Sequence, residues 1–308
     1  MKKKFLILVW LWWSPAVLAQ DEVAPPVAEP AAQASEPVAT AEPALLQLNP
    51  AKLGLRSSAA LVIDQEHEQP IYGKNVDAQM PIASITKLMT AMVVLDAQLP
   101  MDELVIISKE DVDHLRGTRS RLTVGLALTR DELLQLALMA SENRAAAALA
   151  RSFPGGKPAL VASMNRKAAA LGMTRTHFAD PTGLNSDNVS TALDLAKMVK
   201  ASYGYPLIRE YTTTSSQQIA LYKTRYKTRR VSFHNSNRLV RSKGWDIGLS
   251  KTGYLSDAGR CLVLQATIAG QPLIIVLLDS WGKMTRIADA NRIKRWIETS
   301  MVRRQRSS

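Results

Sequence analysis

The chain has one cysteine in 308 residues, only 6% aromatic side chains, and beyond its first residues no apolar run long enough to cross a bilayer. With Cys261 unpartnered, a disulfide scaffold and a Cys-ligated metal site are both excluded. The missing spans exclude an integral membrane bundle, and 46% hydrophobic residues exclude a disordered chain. His67, His114, His177 and His234 show no zinc spacing, so neither a metal nor a cofactor is expected. There is no Gly-x-Ser-x-Gly elbow. The stretch Gly248 to Gly253 fails as a phosphate loop, because Ser250 stands where that motif needs glycine.

What is present starts with an export signal. Lys2, Lys3 and Lys4 precede the apolar run Phe5 to Trp13, Ser14-Pro15 breaks it, and small residues end at Ala19, which predicts a cleaved signal peptide over residues 1–19. Residues 20–47 carry Pro25, Pro26, Pro30, Pro37 and Pro43 without apolar periodicity and read as a Pro/Ala/Glu-rich linker. A domain over 48–300 and a basic tail over 301–308 follow. Removing the three signal lysines takes the formal charge from +12 to +9, and setting aside the five linker acids leaves the remainder at +14. An exported basic domain meets lipid head groups, wall polymers and peptide carboxylates; nucleic acid is not an expected partner.

Short β-compatible runs at Ala59 to Asp64 and Ile71 to Asn75 predict a hairpin. After Pro81, apolar residues at spacings of three and four predict a helix from about Ser84 to Asp96. Thr129 and Glu132 form a capping box ahead of a helix apolar on nearly every side, and therefore central. Further helices are expected after Ser141, from about Lys157 to Leu171, and from Ser190 to Ser202. Leu249 to Leu255, Cys261 to Ile268 and Leu273 to Asp279 predict a meander, closed by a helix carrying Ile287, Ala290 and Ile297. Hairpin plus meander make one antiparallel sheet of five strands with helices packed on it, an α+β fold.

The chemistry begins at Ser84-Ile85-Thr86-Lys87, where a hydroxyl and an amine lie one helical turn apart on one face. A helix N-terminus there favours a developing oxyanion. Lysine acts as a base only if burial or a neighbouring cation brings its pKa toward neutrality, so a second lysine should be close. Alone the spacing is weak. Ser280-Trp281-Gly282-Lys283 repeats it in a loop after the last strand and reads as chance. Ser141-Glu142-Asn143 between two helices and Lys251-Thr252-Gly253 in the first meander strand supply the context, with Gly253 leaving room for a substrate backbone. Ser186-Asp187-Asn188 competes for the middle position; Ser141 is preferred because two helices can fix it, whereas Ser186 lies in a polar loop.

Ser-x-x-Lys, Ser-x-Asn and Lys-Thr-Gly in that order resemble the signature of penicillin-binding proteins and serine β-lactamases. With the stretches His177 to Leu184 and Tyr254 to Leu264, the chain is similar from about Leu55 to Ile297 to the low-molecular-mass penicillin-binding proteins, the D-alanyl-D-alanine peptidases of peptidoglycan. The resemblance implies a β-lactamase/DD-peptidase-like fold with a mostly helical lobe, and a periplasmic hydrolase. It implies Ser84 as acylated nucleophile, Lys87 as proton acceptor and Ser141 as relay to the leaving amine. Asn143 would bind the substrate amide, Lys251 and Thr252 a carboxylate or its neighbour, and the Ser84 and Tyr254 N–H groups would form the oxyanion hole. Peptidoglycan stem peptides and cross-links are the implied partners, and β-lactam antibiotics the covalent inhibitors.

Only 29 residues follow Asp279, too few for the β-rich C-terminal domain of carboxypeptidase relatives, which points to the endopeptidase subgroup. The last helix is expected to pack on the sheet rather than on a membrane. No supported Glu precedes Pro181, so slow release of bound penicillin is expected, unlike a β-lactamase. From Tyr222 to Arg229, Lys223, Arg225, Lys227 and Arg229 alternate with Tyr or Thr. They are expected to share one strand face, either as a charged edge or as a hold on anionic wall polymer.

Overall fold

The structure is a computed structural model that describes residues 53–223 and 228–305. The expected signal and linker, and the middle of the basic ribbon, lie outside the described residues. In chain order the elements are β1 (Ser57–Asp64), β2 (Pro70–Lys74), β3 (Met80–Pro81), α1 (Lys87–Asp96), β4 (Leu104–Ile106), β5 (Ala127–Thr129), α2 (Arg130–Met139), α3 (Asn143–Arg151), α4 (Gly156–Ala170), β6 (Val189–Ser190), α5 (Ala192–Tyr203), α6 (Pro206–Thr213), β7 (Ser216–Lys223), β8 (Thr228–His234), β9 (Asp246–Leu255), β10 (Gly259–Ile268), β11 (Gln271–Ser280) and α7 (Thr285–Gln305).

Hairpin and meander join as expected into one five-stranded antiparallel sheet in the order β2-β1-β11-β10-β9. Its central strands are apolar at consecutive positions because both faces are covered. Ala59, Leu61, Val263 and Val276 pack into the helical lobe, while Ala60, Val62, Leu264 and Ile275 pack under α7 through Ala290, Ile293 and Ile297. The buried Asp289 carboxylate pins α7 to the start of β1. It accepts from the Ser57 N–H at 2.8 Å, the Ser57 hydroxyl at 2.7 Å and the Arg56 N–H at 3.0 Å. Charge-assisted bonds of this kind contribute about 1.5–3 kcal/mol each.

The helical lobe is built around α1 and α2. Thr129 caps α2 in a complete capping box with Glu132, and Leu133, Leu134, Leu136, Leu138 and Met139 are all buried. On α1, every residue from Lys87 to Val94 is buried, so the helix runs through the lobe rather than over it. This positions α1 to bring its first turn against the edge strand β9.

Several expectations need correction. The helix expected from Ser84 begins instead as a 3-10 turn over Ala83–Thr86, and α-helical geometry starts at Lys87. The cause is the residue before the serine: Ala83 has φ +48°, outside the helical region. The helix expected from Ser190 starts at Ala192 under a Thr191 cap, because residues 189 and 190 pair with β3 instead. The basic ribbon is not one strand. β7 ends at Lys223 and β8 begins at Thr228, with Lys223 paired to Thr228, so Lys223 and Arg229 stand on opposite arms of a hairpin. Helix α7 continues to Gln305, into the segment expected as a tail. Helix α6 and the short ladders β3·β6 and β4·β5 were not expected. Among the described residues, no helix is long and apolar enough to cross a membrane.

Candidate active site

Ser84 sits in the 3-10 turn that leads into α1, half-buried, with Lys87 immediately behind it and almost wholly enclosed at 1% exposure. The Lys87 Nζ lies 2.8 Å from Ser84 Oγ, 2.7 Å from Asn143 Oδ1 and 2.6 Å from the Thr182 carbonyl oxygen. Two of these three oxygens can only accept. A neutral amine has two N–H bonds and one lone pair, so Asn143 and Thr182 take the N–H bonds and the lone pair is left for the Ser84 hydroxyl proton.

Burial is the main reason the Lys87 amine is lowered from 10.5 to about 7, with Asp180 and Glu142 opposing that shift. Lys251 is likewise held well below the ordinary lysine range, by burial first and then by the positive charges of Lys87 and Arg286. The expectation of a second lysine close to the first is therefore met. Lys251 Nζ donates to Ser141 Oγ at 2.8 Å and to the Thr252 carbonyl at 3.0 Å. Ser141 reaches it from the bend between α2 and α3 with φ +61°, a left-handed conformation that a serine adopts at a cost of order 1 kcal/mol. Asn143 opens α3 and donates its other amide atom to Thr118 Oγ1 at 3.0 Å.

Gly253 packs directly against the serine turn. The space a side chain would occupy is filled by the serine turn itself: a Cβ there would meet the Ile82 carbonyl oxygen at 2.8 Å, Ala83 Cβ at 3.1 Å and the Ser84 nitrogen at 3.3 Å. Gly183 does the same from the other side, where a Cβ would lie 2.0 Å from the Ala83 carbonyl oxygen. The serine turn is thus clamped between two backbones that come close only because both residues are glycine. The contact at Gly253 also brings the Ser84 N–H next to the strand segment that carries Tyr254. The Tyr254 ring is 56% exposed and lies under the Arg260 guanidinium at 4.2 Å.

The structure thus gathers Ser84, Lys87, Ser141, Asn143, Lys251, Thr252, Gly253 and Tyr254 at the junction of α1, the α2–α3 bend and β9. It does not bring Ser186 into that group. Asn188 of the competing triplet is instead enclosed in its own loop, where its side chain binds Asp180 and Thr86. Ser280 Oγ is engaged by Ser57 Oγ at 2.7 Å, and Trp281 beside it is 85% exposed, so the second Ser-x-x-Lys forms no site. Among the described residues no group of His, Cys, Asp or Glu could hold a metal. Cys261 is fully buried in β10, and burial pushes its thiol up to about 11.

Several contributors lack a sequence signal. Thr182 acts through its backbone carbonyl, and Thr118 comes from a loop without periodicity. Ser236 Oγ lies 2.7 Å from Thr252 Oγ1 and fixes that hydroxyl from the loop after β8. Arg286, at the start of α7, donates to the Gly253 and Cys261 carbonyls at 2.6 and 3.0 Å and places a third cation behind Lys251. The stretch His177 to Leu184 carries part of the family resemblance, the one signal in the sequence that points to Thr182.

Residues 47–282 match the Peptidase S11 family, D-alanyl-D-alanine carboxypeptidase. The chain belongs to that family. Among individual relatives it is 47% identical to a D-alanyl-D-alanine endopeptidase of Pseudomonas aeruginosa, over 82% of this chain and 81% of that one. It is 44% identical to a D-alanyl-D-alanine endopeptidase of Escherichia coli, over 80% and 79% of the two chains. Among solved structures, the Streptomyces K15 DD-transpeptidase superposes with a TM-score of 0.73 at 28% identity, covering 79% of this chain and 97% of that one.

Proposed function

We propose that the chain is a serine D-alanyl-D-alanine endopeptidase that hydrolyses D-Ala to diamino-acid cross-links of peptidoglycan through a Ser84 acyl-enzyme. The observation that carries this reading is the Lys87 amine, enclosed, lowered to about 7 and 2.8 Å from the Ser84 hydroxyl. In acylation Lys87 takes the hydroxyl proton as Ser84 Oγ attacks the D-Ala carbonyl carbon. The Ser84 and Tyr254 N–H groups hold the oxyanion that forms. Collapse of that intermediate expels the amine of the diamino acid, which receives its proton through Ser141. Water then attacks the ester, Lys87 again accepts a proton, and Ser84 is released.

Asn143 would bind the substrate amide as well as Lys87, and Lys251 with Thr252 would engage a substrate carboxylate. An anionic group there would favour the protonated form of Lys251, which burial and the neighbouring Lys87 and Arg286 otherwise disfavour. The endopeptidase names of the two relatives, at 47% and 44% identity, support this activity over removal of a terminal D-Ala. The lysine-rich start of the chain and its apolar run support a periplasmic location, and the Ser84–Lys87 pair supports β-lactams as covalent inhibitors. Digestion of purified cross-linked muropeptide dimers and of monomeric pentapeptides, followed by mass spectrometry, tests the proposal. Dimers should yield monomers. Loss of only the terminal D-Ala would make the enzyme a carboxypeptidase, and no change in either substrate would leave a wall-binding protein on the same fold.

A further inference from the structure

The triplet Ser186-Asp187-Asn188 was set aside as the catalytic Ser-x-Asn, yet its asparagine is among the most connected side chains near the site. Asn188 is fully buried. Its Oδ1 accepts from the Ala179 and Asp180 N–H groups at 2.6 and 2.9 Å, and its two Nδ2 N–H bonds are shared among the Asp180 carbonyl at 2.9 Å, Asp180 Oδ1 at 2.8 Å and Thr86 Oγ1 at 3.0 Å. Its backbone carbonyl accepts from the Ile82 N–H at 3.0 Å. Asp180 in turn folds the next residues around its carboxylate, accepting from the Thr182 N–H at 3.2 Å, the Gly183 N–H at 2.9 Å and the Thr182 hydroxyl. Thr90 fixes the same loop by donating to the Pro181 carbonyl at 2.7 Å.

These bonds have two ends with one purpose. One end sets the direction of the Thr182 carbonyl, which receives Lys87 at 2.6 Å. The other reaches Thr86, whose hydroxyl donates to the Ala83 carbonyl at 2.8 Å and so holds the left-handed residue ahead of the serine. We propose that Asp180 and Asn188 are positioning residues for the reaction: together they hold the Thr182 carbonyl against Lys87 and the serine turn beside it, so that the amine keeps its lone pair on the Ser84 hydroxyl. The inference rests on the proposed Ser84–Lys87 acylation. Asp180 adds a charge effect to the geometry. The titratable groups facing Lys87 are Asp180 on this loop, Glu142 ahead of α3 and Lys251 on β9, and Asp180 is the larger of the two carboxylate influences that favour the protonated amine.

The test is the pH profile of acylation by a fluorescent penicillin, measured on purified wild-type enzyme and on Asp180→Asn, Asp180→Glu and Asn188→Ala. Asn188→Ala removes orientation and no charge. Its plateau rate should fall about 10- to 100-fold with the acid limb unmoved. Asp180→Asn removes both, so its plateau should fall and its acid limb should move to lower pH by on the order of one unit. Asp180→Glu keeps the charge and should leave the limb in place. A loop that merely stabilises the fold would lower the folded fraction and leave the rate per folded molecule, and the limb, unchanged; that result overturns the proposal. Should Asp180→Asn fail to fold, Thr86→Val removes only the hydroxyl that receives Asn188. It should lower the plateau, and a full rate would overturn the proposal. A wild-type enzyme that is never labelled would instead overturn the acylation reading itself.

Discussion

Lys251 Nζ donates to Ser141 Oγ at 2.8 Å although 110 residues separate them in the chain. The contact ties the sheet edge to the bend between two helices and sets a second buried amine near the first. Two lysines enclosed this closely cannot both carry a full charge without large cost, because neither has water to screen it. Burial is what makes Lys87 available as a base near neutrality, and the repulsion between the two amines falls on Lys251, which is held well below the ordinary lysine range.

The first consequence is a pH limb. Acylation needs neutral Lys87, so its rate should rise through a single limb near pH 7 and fall about tenfold per unit below it. Stopped-flow acylation by penicillin between about pH 5 and 9 measures this. A rate that climbs only above pH 9 would mean an unperturbed lysine.

A second consequence concerns stability. The folded-state pKa of Lys87 lies below its unfolded value, so between about 7 and 10.5 the unfolded chain binds a proton that the folded one lacks. Stability carried by this group therefore rises with pH across that window and is lost as pH falls through it. The slope is about 1.4 kcal/mol per pH unit. Unfolding free energies of wild type minus Lys87→Met, measured at pH 7.5 and 9.5, should show the difference shifting in favour of wild type at the higher pH.

A third concerns the clamp. Gly253→Ala places a methyl 2.8 Å from the Ile82 carbonyl oxygen, so the serine turn must shift; acylation should fall more than about tenfold while the protein stays folded. Gly183→Ala combines a 2.0 Å contact with φ +79° and should also lose about 1–3 kcal/mol in denaturant titration. Wild-type acylation by either variant would show that the turn is not held by these backbones.

How much of this was legible follows from where each signal resides. The sheet was readable because β1, β10 and β11 carry apolar residues at both parities, and the capping box at Thr129 and Glu132 is a side-chain pattern. Ser141 was separable from Ser186 only by context, a bend between two helices against a polar loop. Thr182 could not be found from residue type, because its contribution is a backbone oxygen. Arg286 looks like any arginine at a helix start until β9 is placed over it. Helix α6 was missed although Pro206 at its first position and buried Ile208 and Tyr211 three apart are a readable start and face. The short ladders of two and three residues have no periodicity to read.

The proposed reaction requires Ser84 to become an ester with Lys87 as its base. Incubating the purified enzyme with penicillin and recording intact mass, then mapping the modified peptide, tests that most directly. One penicilloyl group should appear on Ser84, persist for minutes rather than seconds, and be absent from Ser84→Ala. An unmodified wild-type mass, or an adduct on any other serine, would contradict it.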